Sequence, residues 1–250
     1  MSSAALIRTQ IEAQLVNRVS AAFTQQASVE MRTLPTGVKS IDTAIGGIPR
    51  GGITEISGAS LCSTGRKSLL TQLLASTTRE QFCGLIDATD SFDPHSAQLA
   101  GVHLKRLLWI RCGGRGMKTL EQAFKASDLL LQGTAGFGVI VVDLSGISER
   151  LVRKIPLTTW FRFSRVVEKL DTALVFITPR LVVGTCSSLT VNLSADQVRW
   201  AQPVPGSIAH ARLSAALDFQ VEVRARRSFQ KTLKKTSQST GSFSAQRRWA

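Results

Sequence analysis

The feature that most constrains this chain is residues 53–70, ITEISGASLCSTGRKSLL. A short apolar strand pattern runs into a loop of small residues, and a helical pattern opens at about Gly65. A strand, loop and helix in this order gather backbone N–H groups and a helix N-terminus around phosphate oxygens, with a Lys adding a point charge. The consensus for such a loop is G-x-x-x-x-G-K-[ST]. Here six residues separate Gly58 from Gly65, and Arg66-Lys67-Ser68 follows. Arg66 therefore stands where the pattern has Lys, and Lys67 where it has the magnesium-binding hydroxyl. Arg can bind phosphate bidentately, but it is longer and planar and does not act as a point charge in a tight loop. An ammonium at position 67 repels a metal ion. A shifted register would make Lys67 and Ser68 the Lys-hydroxyl pair, with Arg66 inside the loop, and would break the Gly-Lys adjacency. A turn that binds nothing is the competing reading.

Downstream, short apolar runs alternate with helical patterns. Residues 82–87, 106–111, 138–143 and 172–177 read as strands, and residues 67–78, 94–99, 118–131 and 158–170 as helices. Continuous apolar runs bounded by turns are typical of strands covered on both faces. Helices between them imply parallel βαβ units, so the fold class is α/β with a mainly parallel sheet. Residues 187–193, 197–200 and 217–226 read as consecutive strands forming an antiparallel extension. Upstream, residues 40–45 fit one or two helical turns, and the Gly-Gly and Pro-Arg-Gly-Gly that follow force a tight turn into the first strand. Ile7, Ile11, Leu15, Val19 and Phe23 recur every four residues, which predicts an amphipathic helix over residues 2–26. Such a helix packs on its own domain or docks on a neighbour. The expected organisation is residues 1–34 as helix and linker, 35–227 as the core and 228–250 as a tail.

A chain of 250 residues is long enough for one full core with extensions. Its apolar runs are too short to span a bilayer, and its uncharged start with no apolar stretch behind it does not fit a signal peptide. Cys62, Cys83, Cys112 and Cys186 lie far apart, with no C-x-x-C pair and no His at ligand spacing. That usage argues against disulfides and zinc and for a reducing cytosol. His95, His103 and His210 are scattered and suggest no chemistry. The net charge is +14, and eight of the basic residues (Arg224, Arg226, Arg227, Lys231, Lys234, Lys235, Arg247 and Arg248) fall in residues 224–250, which hold no acid. A tail of this kind attracts nucleic acid or another polyanion; the plainer alternative is a solubilising extension. Phe229, Phe243 and Trp249 are interleaved with the charges and can stack on single-stranded bases. Rich in Ser, Thr, Gln, Lys and Arg, residues 228–250 are expected to be disordered in isolation.

With these pieces in order, the chain resembles the RecA-like recombinase family from Thr36 to about Arg224. TGVKSIDTAIGGIPRGGITEISG is similar to the segment that leads into the family's P-loop strand. FCGLIDATDSFDP resembles the second core strand with its acidic loop, GVIVVD the Walker B strand ending at Asp143, and TALVFITPR the strand that carries the phosphate-sensing residue. Within that family the closer likeness is to ImuA-type proteins, short RecA homologues that serve with a Y-family-like partner and an error-prone polymerase in damage-induced mutagenesis. The short chain, Gly-Arg in place of Gly-Lys, WFRFSRVVEKLDTALVFITPR and VEVRARRSFQK carry that likeness.

The resemblance implies a nucleotide site built from Gly58, Gly65, Arg66, Lys67, Ser68 and Asp143. It also implies ATP with magnesium as cofactor, with binding weak or lost. Asp143 would order a magnesium-bound water beside a phosphate; the alternative is an Asp that caps the next turn. Where the family carries the water-activating Glu, this chain aligns Thr89, which cannot act as a general base at neutral pH. Asp90 is adjacent, but a shorter side chain one residue along would point elsewhere. The sensing Gln aligns with Pro179, and the adenine-stacking aromatic with Ser96. The Gly-rich DNA-contacting loop after the sensor strand shrinks to residues 181–187. Efficient ATP hydrolysis and filament-type strand exchange are therefore not expected. The implied function is a cytoplasmic, nucleoid-associated accessory factor of DNA repair and the SOS response. It would bind DNA, preferably single-stranded, through the basic tail, and a translesion-polymerase-type or RecA-type partner. Homo-oligomerisation would run through the N-terminal helix. The alternatives are a working DNA-dependent ATPase or recombinase using Lys67 and Ser68, and a regulator whose likeness is only structural.

Overall fold

The computed structural model describes residues 32–58, 65–133, 136–200, 214–226 and 237–244. The helix expected over residues 2–26 and the interior of the Gly58–Gly65 loop lie outside them. Two strands, β1 (Thr33–Leu34) and β2 (Ile48–Pro49), pair antiparallel and flank helix α1 (Lys39–Ile45). Leu34 is buried, so the expected linker ends against the core. The main succession is β3 (Ile53–Gly58), α2 (Arg66–Thr77), β4 (Phe82–Asp87), α3 (Pro94–Leu99), β5 (Leu107–Arg111) and α4 (Met117–Gln132). It continues through β6 (Phe137–Asp143), α5 (Glu149–Val152), α6 (Leu157–Val167), β7 (Ala173–Thr178), β8 (Leu189–Trp200), β9 (Ser214–Arg226) and β10 (Ser237–Ser244).

Strands β3 to β10 form one eight-stranded sheet in the order β10-β9-β8-β3-β7-β6-β4-β5. All pairings from β8 to β5 are parallel, while β9 and β10 add antiparallel to β8. The inner parallel strands β3, β4, β6 and β7 are covered on both faces, which is why their apolar residues run continuously instead of alternating. Val139 and Val141 of β6 join Leu69, Leu70, Leu73 and Leu74 of α2 on one side. Ile140 and Val142 meet Leu120 and Ala123 of α4 and Trp160 and Phe163 of α6 on the other. Edge-to-face contacts of Trp160 with Phe124 and Phe176 tie α4 and α6 to β7. Parallel order brings the C-terminal ends of β3, β4, β6 and β7 together at one edge, where open α/β sheets bind ligands.

Two expectations fail at the C-terminal end. Residues 187–193 and 197–200 are not separate strands: β8 runs unbroken through a bulge, with Ala195 opposite Phe219 and Gln197 opposite Asp218, so Asp196 is the extra residue. A bulge lets one strand carry a polar interruption that in the sequence reads as a break. Residues 228–250 are not disordered throughout. Ser237–Ser244 forms β10 and pairs with β9 from Ser237 opposite Val223 to Ser244 opposite Ala216, covering backbone groups that β9 would otherwise present at an open edge. The helix expected to reach residue 170 ends at Val167, and residues 168–170 form a turn. Among the described residues no helix is long and apolar enough to cross a membrane.

Candidate nucleotide site

Gly58 ends β3 fully inside the sheet, opposite Leu193 of β8. Gly65 then starts α2 with φ of 77°, a left-handed conformation that glycine adopts without a Cβ penalty. The first two side chains of α2 reach in different directions. Arg66 donates from Nη1 to the Thr178 carbonyl at the end of β7, 2.7 Å away. Burial pushes its pKa down, and the charge of Asp143 works against that shift. Lys67 reaches Asp143 at the end of β6, forming an ion pair with Oδ2, and also donates to Ser91 Oγ at 2.5 Å. The Asp143 side chain is 2% exposed and that of Lys67 44%. The other Asp143 oxygen accepts from Ser145 N at 2.9 Å, so this carboxylate both ends the strand and shapes the next turn. Ser68 follows on α2, half-buried. Gly65, Arg66, Lys67 and Asp143 thus share one edge of the sheet.

Asp87 ends β4 directly beside Asp143, its register partner on β6, and both are buried. Its carboxylate accepts from Phe92 N at 2.9 Å, Thr89 N at 3.2 Å and Ser91 Oγ at 3.5 Å. The acidic loop folds over Asp87 as a result. Thr89 Oγ1 donates to Ser91 Oγ at 3.1 Å. Asp90 takes a positive φ of 54°, which Asp tolerates better than most residues, and turns away toward β5. There it forms a two-point ion pair with Arg111, whose guanidinium also lies 5.2 Å from the Trp109 ring centre. The hydrogen bond from Arg111 holds the exposed Asp90 carboxyl below its usual range. Asp93 caps α3, accepting from His95 N at 3.0 Å and Ser96 N at 3.2 Å, and Ser96 Oγ also donates to it.

On the far side of Arg66 the segment after β7 is held by Glu55 of β3. Its Oε1 accepts from Thr178 Oγ1 at 3.0 Å and Val182 N at 2.7 Å, and its Oε2 from Val183 N at 3.1 Å. Burial raises the Glu55 pKa, and these bonds pull against it. Pro179 and Arg180 follow β7, and Arg180 pairs with Glu149 at 2.8 Å. The connection to β8 is short, with a single 3-10 turn at Gly184–Cys186.

Sequence reasoning placed Arg66, Lys67 and Asp143 together but missed Glu55, Ser91 and Arg111. An acid inside the apolar run ITEIS was a usable signal for Glu55. Ser91 and Arg111 carried none, since their roles depend on contacts across the sheet. Of the basic cluster, Arg224 and Arg226 lie at the end of β9, with Arg226 opposite Leu189. Arg227, Lys231, Lys234, Lys235, Arg247 and Arg248 lie outside the described residues, as do Phe229 and Trp249. Among the described residues, no group of three or more His, Cys, Asp or Glu is placed to hold a metal ion. A family model for the RecA N-terminal domain matches residues 3–151, more than half of the chain.

Proposed function

The chain belongs to the RecA family, and from that premise we propose that it is an ImuA-like accessory protein of DNA repair and the SOS response. In this reading it binds DNA through its basic C-terminal residues, works beside a translesion-polymerase-type or RecA-type partner, and does not turn over ATP. One observation carries the last point. The carboxylate that ends β4 and the two in the loop after it are all committed to the fold: Asp87 to loop amides, Asp90 to Arg111 and Asp93 to the α3 cap. A carboxylate that serves as general base must lie within reach of the attacking water and be free to take its proton. Thr89, the residue aligned with that base, offers only a hydroxyl.

The backbone register supports separate sites for nucleotide and DNA. Arg226 is level with Leu189, which is level with Thr54 at the start of β3. Asp143 is level with Ile177, which pairs with Ile56 near the end of β3. The first basic residues of the tail therefore sit at the opposite edge of the sheet from Lys67.

Affinity for single-stranded DNA over a salt series, with and without Mg-ATP, tests this reading. The intact chain is compared with one in which Lys231, Lys234, Lys235, Arg247 and Arg248 are all changed to Gln. Substitution is preferred to truncation because β10 lies within the tail. The intact chain should lose affinity steeply with salt, and the variant's slope should flatten by about 0.7 for each phosphate it no longer neutralises. ATP should leave both curves unchanged. Equal slopes for the two chains would remove the tail from DNA binding.

A further inference from the structure

We propose that the Lys67 ammonium is a built-in replacement for the divalent cation that a phosphate-binding site of this layout would hold beside Asp143. The inference rests on reading residues 53–70 as such a site. Asp87 and Asp143 end neighbouring strands, and both carboxylates are buried. Two buried carboxyl groups side by side favour a nearby positive charge, because burying an uncompensated carboxylate is strongly unfavourable. Lys67 supplies it at Asp143 Oδ2, and its second bond, to Ser91 Oγ, holds the loop that wraps Asp87.

The residues present do not fit magnesium at this point. Magnesium takes carboxylate, hydroxyl and water oxygens in near-octahedral array. Here position 67 offers an ammonium in place of the hydroxyl, and that ammonium is already on the carboxylate the ion would use. The tether also differs from a dissociable ion in kind. The charge at Asp143 is present whether or not a nucleotide is bound, so the acidic loop is held without any metal. Arg66, aimed at the Thr178 carbonyl, fastens the other side of the same helix end.

Thermal unfolding of the intact chain, Lys67→Met and Lys67→Arg, each in EDTA and in millimolar magnesium, tests this. The intact chain should melt at the same temperature in both. In EDTA, Lys67→Met should melt lower, by on the order of 4 °C, and magnesium should recover much of that difference. Lys67→Arg should behave as the parent. The proposal is overturned if Lys67→Met melts with the parent, or if its lowered melting point is untouched by magnesium, which would make Lys67 an ordinary ion-pair partner. It is equally overturned if magnesium stabilises the intact chain. Phosphate release from the same samples reports separately on the proposed loss of turnover, so either idea can fail alone.

Discussion

Glu55 sits in an apolar strand with no solvent exposure, and three protein groups converge on its carboxylate. It pins the short segment after β7. Its folded pKa lies above the ordinary 4.5 because burial outweighs the hydrogen bonds. The sign follows from linkage: a raised pKa contributes stability that is fully present below the unfolded value and is lost as pH rises through the folded one. Glu55→Gln has no such titration. The stability of the variant relative to the parent should therefore move in the variant's favour as pH rises from about 4.5. Chemical denaturation of both proteins between pH 4 and pH 8, roughly the window that a raised carboxyl spans, checks it. A difference that stays flat across that window would contradict the assigned shift. At this scale the sequence was only partly legible. Lys67 and Arg66 stood out because a motif gives their positions a meaning. The partners of Asp90 and Asp87 did not, since Arg111 and Ser91 come from elsewhere in the chain or from a turn with no periodic pattern.

Helix α6 shows how much an element owes to its buried face. Trp160 and Phe163 are buried while Phe161, between them, is 44% exposed. Phe163 packs at a tilt against Phe124 of α4 and Phe176 of β7. Phe163→Ala should lower stability by about 3–5 kcal/mol through the cavity it opens, whereas Phe161→Ala should stay within about 1 kcal/mol. Urea midpoints for the two variants separate these outcomes, and equal losses would place α6 in the wrong rotation. Elements of this kind were legible because their apolar spacing is set by one covered face or, for β3, β4, β6 and β7, by two. The polar strand β10 was not. SQSTGSFS has no apolar alternation, and what makes it a strand is the open edge of β9. The bulge at Asp196 was hidden for a related reason, because the sequence shows a polar break but not whether pairing resumes beyond it.

Across the sheet the two candidate regions lie at opposite edges. One edge gathers Gly65, Arg66, Lys67, Asp87 and Asp143, and the other receives the basic end of β9. The α/β class and the order of the core were readable from alternating apolar runs, and the match to the RecA N-terminal domain agrees with them. The proposed loss of ATP turnover in this RecA-family chain is open to direct test. The most direct measurement is phosphate release from Mg-ATP by the full chain at low salt, with and without single-stranded DNA. Rates should equal a protein-free blank in both. Release that DNA stimulates and that Lys67→Ala abolishes would contradict the proposed loss and make the site a working ATPase.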